Sequence, residues 1–332
     1  MRTKMCALAA GLLLALTACS TTGNGGTADS TQTPGDGASE GGASGAAQKI
    51  TMGVLPIVPS AALQLGVDKG IFAEHGFDVT LETGQGGAAL LPAVVSGQMQ
   101  FAISNPLSLM VAQDQGLDVR VVTGFSHSKA EGQDITSVWS KAGSGITSPA
   151  DLEGKTVAVN NLKTMGELSI REVVRKAGGD PASVNFVELA FPDQPAALES
   201  GNIDAAWVPE PFQTILQDSG AQLVSYNYQE TMPGVATMAV FSSGKQVEQD
   251  PAMVKEFVAA VDETTEYAQA HPDEVRETLL TFLKMDQGLA QKVLIEDFGA
   301  TINPDAITAL SDLAVKDKLL KKPVDVSTFL PN

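Results

Sequence analysis

Two stretches of this chain share one plan, and that plan restricts the fold more than any other feature. Pro92 to Pro106 (PAVVSGQMQFAISNP) and Pro195 to Pro211 (PAALESGNIDAAWVPEP) each read as a helix end, a Ser-Gly stop, a short apolar strand and a proline-containing turn. A repeat at this separation is of domain size rather than of solenoid period, so it predicts two similar lobes. Strand-like and helix-like segments alternate around each copy. Such alternation argues for α/β units on a parallel sheet, with ligands expected beyond the carboxyl ends of the strands.

The first copy is entered through a glycine-rich turn. Phe77 to Leu81 alternates like a strand, Gly84-Gln85-Gly86-Gly87 follows shortly after, and Ala88 to Val95 is a helix-compatible run. Pro92 lacks an N–H and clashes with a carbonyl one turn back, so it is expected in the helix's first turn. The N–H groups of Gly86, Gly87, Ala88 and Ala89 then have no helical partners, and open amides at a helix start attract anions and carbonyl oxygens. Water can satisfy the same turn. The stretch is a poor dinucleotide fingerprint, because Ala89 stands where the third glycine would fall. By the strand-end rule, Pro56 to Ser60, Gly84 to Ala89, Ser104-Asn105 and Phe125 to Ser128 gather at one edge.

In chain order, Lys49 to Pro56 reads as a strand, and Ser60 as the N-cap of a helix whose Leu63, Val67 and Ile71 share a face. Gln100 to Ser104 and Leu117 to Gly124 are further strands, with a helix from Pro106 to Gln115 between them. Thr136 to Lys141 and Ala236 to Ser242 are apolar and strand-like, and read as two crossings between lobes. This places lobe 1 at residues 49–142 with 234–332 and lobe 2 at 143–233. Within lobe 2, Thr156 to Asn160 is a strand, Thr164 and Glu167 have capping-box spacing before a helix to Lys176, Val184 to Glu188 is a strand, and Asp193 caps the next helix before strand Ala205 to Val208. Beyond Ser242 the pattern is helical: Pro251 to Ala270, Asp273 to Leu283, Gln287 to Phe298 and Pro304 to Lys318. These helices carry no chemical motif and are expected to pack on lobe 1.

The N-terminus describes a route out of the cytoplasm. Arg2 and Lys4 precede an apolar run, Ala7 to Leu16, that is too short for an ordinary membrane-spanning helix and shaped like a secretory signal. It ends in Leu16-Thr17-Ala18-Cys19, a tetrad that resembles the lipobox of bacterial lipoproteins, which implies a signal peptide at 1–18 and lipidation of Cys19. The 2 cysteines are Cys6 and Cys19, so the body beyond them has no thiol for disulfides, zinc clusters or a nucleophile. Residues 19–48 are small and polar, the composition of a flexible tether. The formal net charge of -18 makes nucleic acid and anionic headgroups poor partners. No metal or cofactor is expected.

Lipobox, tether, Gly53 to Asn105 and Asp204 to Phe212 (DAAWVPEPF) together are similar to solute-binding proteins of bacterial ABC importers. The branch resembled serves nitrate, taurine and aliphatic sulfonates and includes binders of thiamine pyrimidine precursors. The resemblance implies a two-lobe, type II periplasmic-binding-protein-like α/β fold with two hinge crossings and C-terminal helices on lobe 1. It also implies a monomer that traps a small solute between helix starts, closes, and delivers it to the transmembrane subunits of a permease. In the sulfonate branch the anion is held mainly by amides and neutral side chains, and Ser60, Gln85, Gly86, Gly87, Ala88, Ser104 and Asn105 stand at matching positions.

Further candidates for ligand contact are Asn160, Lys163 and Thr164 at the mouth of lobe 2, His127 at the strand edge, and Glu210. Each has a plainer reading. Lys163 also fits a solvated lysine before a helix, and Glu210, between two prolines, fits an acidic cap on the next helix. A ligand-lining Glu210 favours a solute with an amino group. Trp207 fits core as well as a planar stacking partner. Of 3 histidines, His75 and His271 read as structural. Two rival classes remain: an enzyme on the same fold, with His127 and Glu210 as base and acid, and a tethered sensor or adhesin.

Overall fold

The computed structural model describes residues 47–330; the signal, Cys19 and nearly all of the tether lie outside them. The eleven strands are β1 (Gln48–Val54), β2 (Phe77–Thr83), β3 (Phe101–Ser104), β4 (Val119–His127), β5 (Thr136–Ser140), β6 (Thr156–Val159), β7 (Asn185–Glu188), β8 (Ala205–Pro209), β9 (Gln222–Ser225), β10 (Ala236–Ser243) and β11 (Asp297–Phe298). They form two mixed sheets, ordered β11-β4-β10-β3-β1-β2 and β7-β6-β8-β5-β9.

The sequence repeat is visible in this topology. β2, β1 and β3 run parallel, and β10 closes against β3 in antiparallel sense; β7, β6 and β8 run parallel, and β5 closes against β8 in the same way. Each parallel strand is followed by a helix, as right-handed crossovers require. β3 and β8, the strands of the two repeated stretches, occupy equivalent places. Both sheets are buried at these strands: all four residues of β3 and all five of β8 are shielded from solvent.

Several expectations need correction. Thr136 to Ser140 is not a crossing on the lobe 1 side but an interior strand of the five-stranded sheet, antiparallel to both β8 and β9. The chain passes between sheets at 128–135 and again at 226–235. Five residues, Thr-Ser-Val-Trp-Ser, satisfy the interior of a sheet as readily as a connection, so the sequence did not separate the two. The stretch Gln287 to Phe298 is helical only over Gln287–Lys292; Val293 leaves the helical conformation and the segment ends as β11 against β4. The first helix stops at Asp68, and a second short one begins at Ile71, because Gly70 takes a left-handed conformation with φ of 80°. Gln48, assigned to the tether, opens β1.

The helix Pro251–Ala270 organises the C-terminal region against the first sheet. Phe257 stacks on Phe101 of β3 with ring centroids 3.9 Å apart and meets Phe72 and Phe77 at its edges. Such aromatic clusters add to area burial and fix orientation. His75 is clamped between Glu256 and Glu263 of the same helix, an arrangement that raises its pKa above the ordinary 6.5. The helix Pro304–Lys316 packs on Pro106–Asp114, completing the layer.

Candidate functional site

The carboxyl ends of β1, β2, β3 and β4 share one edge of the first sheet, and those of β6 and β8 share one edge of the second. At the first edge the helix Gly87–Val95 begins directly after the glycine turn, with Gly86 extended as its N-cap. Pro92 sits inside this helix and not in its first turn, so the helix starts earlier than expected. Ala89 donates its N–H to Gly86 O at 3.0 Å, which removes it from the open set. Gly87 and Ala88 occupy the first turn, where no earlier helical carbonyl is in reach.

Glycine is required here by close approach. A Cβ on Gly87 would fall 2.6 Å from the Cα of Ser104 and 2.3 Å from its Oγ. A Cβ on Gly86 would fall 2.1 Å from Asn161 Oδ1 and 2.6 Å from Asn160 Nδ2. Thus the glycine turn is pressed on β3 from one side and met by the loop after β6 from the other. Asn160 Nδ2 reaches Gln85 O at 3.5 Å, the outer limit of a hydrogen bond.

Ser104 supplies the polar group that this packing leaves over. Its side chain is wholly buried and its Oγ has no hydrogen-bond partner. A buried hydroxyl without a partner costs on the order of 1–3 kcal/mol, so one at a strand end against a helix start marks a place where a polar ligand atom is stabilising. The other candidates at this edge are occupied. Ser60 lies within the Ser60–Asp68 helix, not at its N-cap, and its Oγ accepts from Leu55 N at 3.2 Å. Asn105 caps Pro106–Asp114 by accepting from Ser108 N at 2.9 Å. His127 donates through Nε2 to Thr301 O at 2.8 Å.

At the second edge, the capping box at Thr164 is modified. Glu167 accepts from Lys163 N at 2.8 Å, one residue early, and from Arg171 Nε at 2.9 Å; Thr164 Oγ1 donates back to Asn161 O at 3.0 Å. The cause is Lys163, whose backbone is left-handed with φ of 58° and presents its own N–H to the carboxylate. Its side chain is exposed.

Glu210 is 1% exposed and its carboxylate is surrounded by donors of this chain: Gln213 Nε2 at 3.0 Å, Thr214 Oγ1 at 2.9 Å, Thr214 N at 3.3 Å and Leu294 N at 3.0 Å. Its backbone O accepts from Val58 N at 3.3 Å, joining the end of β8 to the segment after β1. Burial pushes its pKa up while these hydrogen bonds oppose the rise. Trp207 is core, packed on Gly166 and against Phe191 and Tyr228.

The structure therefore brings Gln85, Gly86, Gly87 and Ser104 together with Asn160, and leaves Ser60, Asn105, His127 and Glu210 bonded elsewhere. Asn161 belongs with the first group and was not among the candidates. Its signal was a doubled asparagine directly after a strand, where one would suffice as a turn former. Among the described residues no group of three or more His, Cys, Asp or Glu side chains could hold a metal ion.

The family model described as NMT1/THI5 like matches residues 60–275, a span that contains every one of these residues from Ser60 to Glu210. The chain belongs to this family. Two relatives show its range. The taurine-binding periplasmic protein of Escherichia coli (strain K12) is 30% identical over 202 residues, covering 60% of each chain. The formylaminopyrimidine-binding protein of Halalkalibacterium halodurans is 25% identical over 223 residues, covering 66% of this chain and 65% of that one. The solved alkanesulfonate-binding protein SsuA from Xanthomonas axonopodis pv. citri, bound to MOPS, superposes with a TM-score of 0.73 over 86% of this chain and 99% of that chain. At 17% identity that likeness speaks for the fold, a two-sheet periplasmic-binding-protein architecture.

Proposed function

We propose that this chain is the extracytoplasmic solute-binding component of an ABC-type importer, held at the cell membrane by a lipid on Cys19 and a tether. Two lobes built on the two sheets close about the connections at 128–135 and 226–235, trap a small solute carrying an oxyanion group, and present it to a permease. It binds without turnover and acts as a monomer. The observation that carries this reading is the unpartnered, buried Ser104 Oγ set against the start of Gly87–Val95. An oxyanion seated there would accept from the Gly87 and Ala88 amides and from Ser104 Oγ, with Gln85, Asn160 and Thr164 around it. Short-range dipoles of this kind hold anions even on an acidic protein.

The names of the taurine- and alkanesulfonate-binding proteins support a sulfonate-like group. The formylaminopyrimidine-binding relative favours a second reading, an aminopyrimidine solute. The engagement of Glu210 by four protein donors weighs against a solute whose amine needs that carboxylate. The same engagement, together with His127 bonded to Thr301 O, weighs against His127 and Glu210 as the acid–base pair of an enzyme. Melting temperature should be measured against taurine, longer alkanesulfonates, nitrate, bicarbonate and aminopyrimidines. A solute at 100 times its Kd adds about 2.7 kcal/mol, a shift on the order of several degrees. A shift with sulfonates fits the oxyanion reading; a shift with aminopyrimidines alone replaces it; no shift with any of them removes this solute class.

A further inference from the structure

The helix Met165–Lys176 touches the first-sheet side of the molecule at both of its ends. At its start, the Asn160-Asn161 loop meets Gln85 and Gly86. At its end, Arg175 Nη2 lies 2.5 Å from Asp317 Oδ1, just beyond the helix Pro304–Lys316, and Lys316 Nζ lies 3.4 Å from Glu172 Oε2. Arg175 also pairs with Glu172 on its own helix. These four side chains therefore form one alternating-charge cluster spanning the two α/β layers. A helix of this length carries its two ends about 18 Å apart.

The cluster differs from another charged contact between the layers, that of Lys292 with Asp218. Asp317, Glu172 and Arg175 are mostly shielded, the first two only 11% and 16% exposed, and Lys316 is the open end of the cluster, whereas Lys292 and Asp218, paired at 2.7 Å, are both about half exposed. Ion pairs in water are worth little, and shielded, multiply connected ones more. A clasp that only holds the layers in one mutual orientation needs no contact with solute to influence binding, because it acts on the equilibrium between conformations.

We propose that Arg175, Asp317, Glu172 and Lys316 form an ionic clasp that is made in the cleft-closed conformation and broken on opening. The proposal rests on the two-lobe reading above; the comparison of variants needs no solute, and a separate arm adds an alkanesulfonate to the parent. The full-length chain is compared with Arg175→Gln, Asp317→Asn, the double variant and Lys292→Ala by hydrogen–deuterium exchange, followed at the amides of residues 84–91 and 160–169. Exchange detects opening even when the open form is rare. Each single clasp variant is expected to speed exchange at both mouth segments about fivefold, the size of a shielded surface pair. The double variant adds no more than either single, since the two residues act as one unit, and Lys292→Ala changes nothing. Unchanged mouth exchange in both single variants, with melting temperatures near that of the parent, overturns the clasp, because the pair then survives opening as a pivot. Additive effects in the double variant also overturn it. If the clasp variants respond but no solute protects the mouth of the parent, the clasp stands and the solute reading falls alone.

Discussion

The two strand ends that face the cleft have the same topology and opposite polar accounting. β3 ends in Ser104, whose hydroxyl is buried and unpartnered beside an open helix start. β8 ends beside Glu210, whose carboxylate is buried and satisfied by four donors from its own chain. The Ser104 hydroxyl holds hydrogen-bonding capacity in reserve, whereas Glu210 spends its own on joining Val58, Gln213 and Leu294 around the crossings; Trp207 Nε1, within β8, is also buried without a partner. Equivalent strand ends in a repeat can thus treat a buried polar side chain in opposite ways, one leaving it unpartnered and the other bonding it within the chain.

The largest effect is expected at the satisfied edge. Glu210→Ala leaves the Leu294 and Thr214 amides and the Gln213 side chain without their acceptor in a buried place, costing about 3 kcal/mol in denaturant unfolding. A loss below about 1 kcal/mol would mean that the carboxylate is not structural. Gly87→Val drives a branched side chain into the Ser104 backbone and should cost roughly 2–3 kcal/mol and abolish solute binding. Retained binding by that variant would move the site away from this helix start.

Between the two edges, at the crossings, Glu296 is buried beside Ser126, Thr237, Asp134 and Lys129, and burial pushes its pKa from the ordinary 4.5 to about 8. The folded state therefore keeps a proton that the unfolded chain has released. Its contribution is full below pH 4.5 and is lost as pH rises through 8. Stability should fall by about 2 kcal/mol from pH 6 to pH 8, and Glu296→Gln should flatten that slope. An equal slope in the variant would assign the pH dependence to other groups, such as His75, whose raised pKa acts in the same direction at higher pH.

The smallest effect on stability is expected at the open edge. Ser104→Ala removes a buried hydroxyl that has no partner, so the variant should be more stable by about 1 kcal/mol while affinity for an oxyanion solute falls roughly tenfold. A large loss of stability there would show that Ser104 is paired within the protein.

Much of this was legible in the sequence, for physical reasons that also explain the misses. β1 to β3 alternate or run apolar between glycine and proline punctuation, and the helix Pro251–Ala270 has Asp250 as its cap and Pro272 beyond its end, so their limits follow from local chemistry. The two sheets followed from the repeat. Thr136 to Ser140 was misplaced because membership of a sheet is decided by partners far along the chain. The helix break after Lys292 has no glycine or proline to announce it, and Pro92 was assigned to a first turn that begins at Gly87. At the site, the glycine turn and Ser104 could be read from spacing. The local bonds of Asn105 to Ser108 N and of Glu210 to Thr214 N follow helix-cap chemistry, and the cap on the helix after Glu210 was among the readings the sequence offered; the bonds of His127 to Thr301 O and of Glu210 to Leu294 N could not be read, since those partners lie distant in sequence.

The central claim is that the first edge holds the solute's oxygen atoms. Its most direct test is to follow the backbone amide resonances of Gly87 and Ala88 by nitrogen-15 NMR while titrating with an alkanesulfonate. The account predicts saturable downfield shifts of both amides, reached in Ser104→Ala only at about tenfold higher concentration, with the Leu294 amide on Glu210 undisturbed. Saturable binding that leaves Gly87 and Ala88 unmoved and shifts Thr214 and Leu294 instead would contradict it and transfer the site to the second edge.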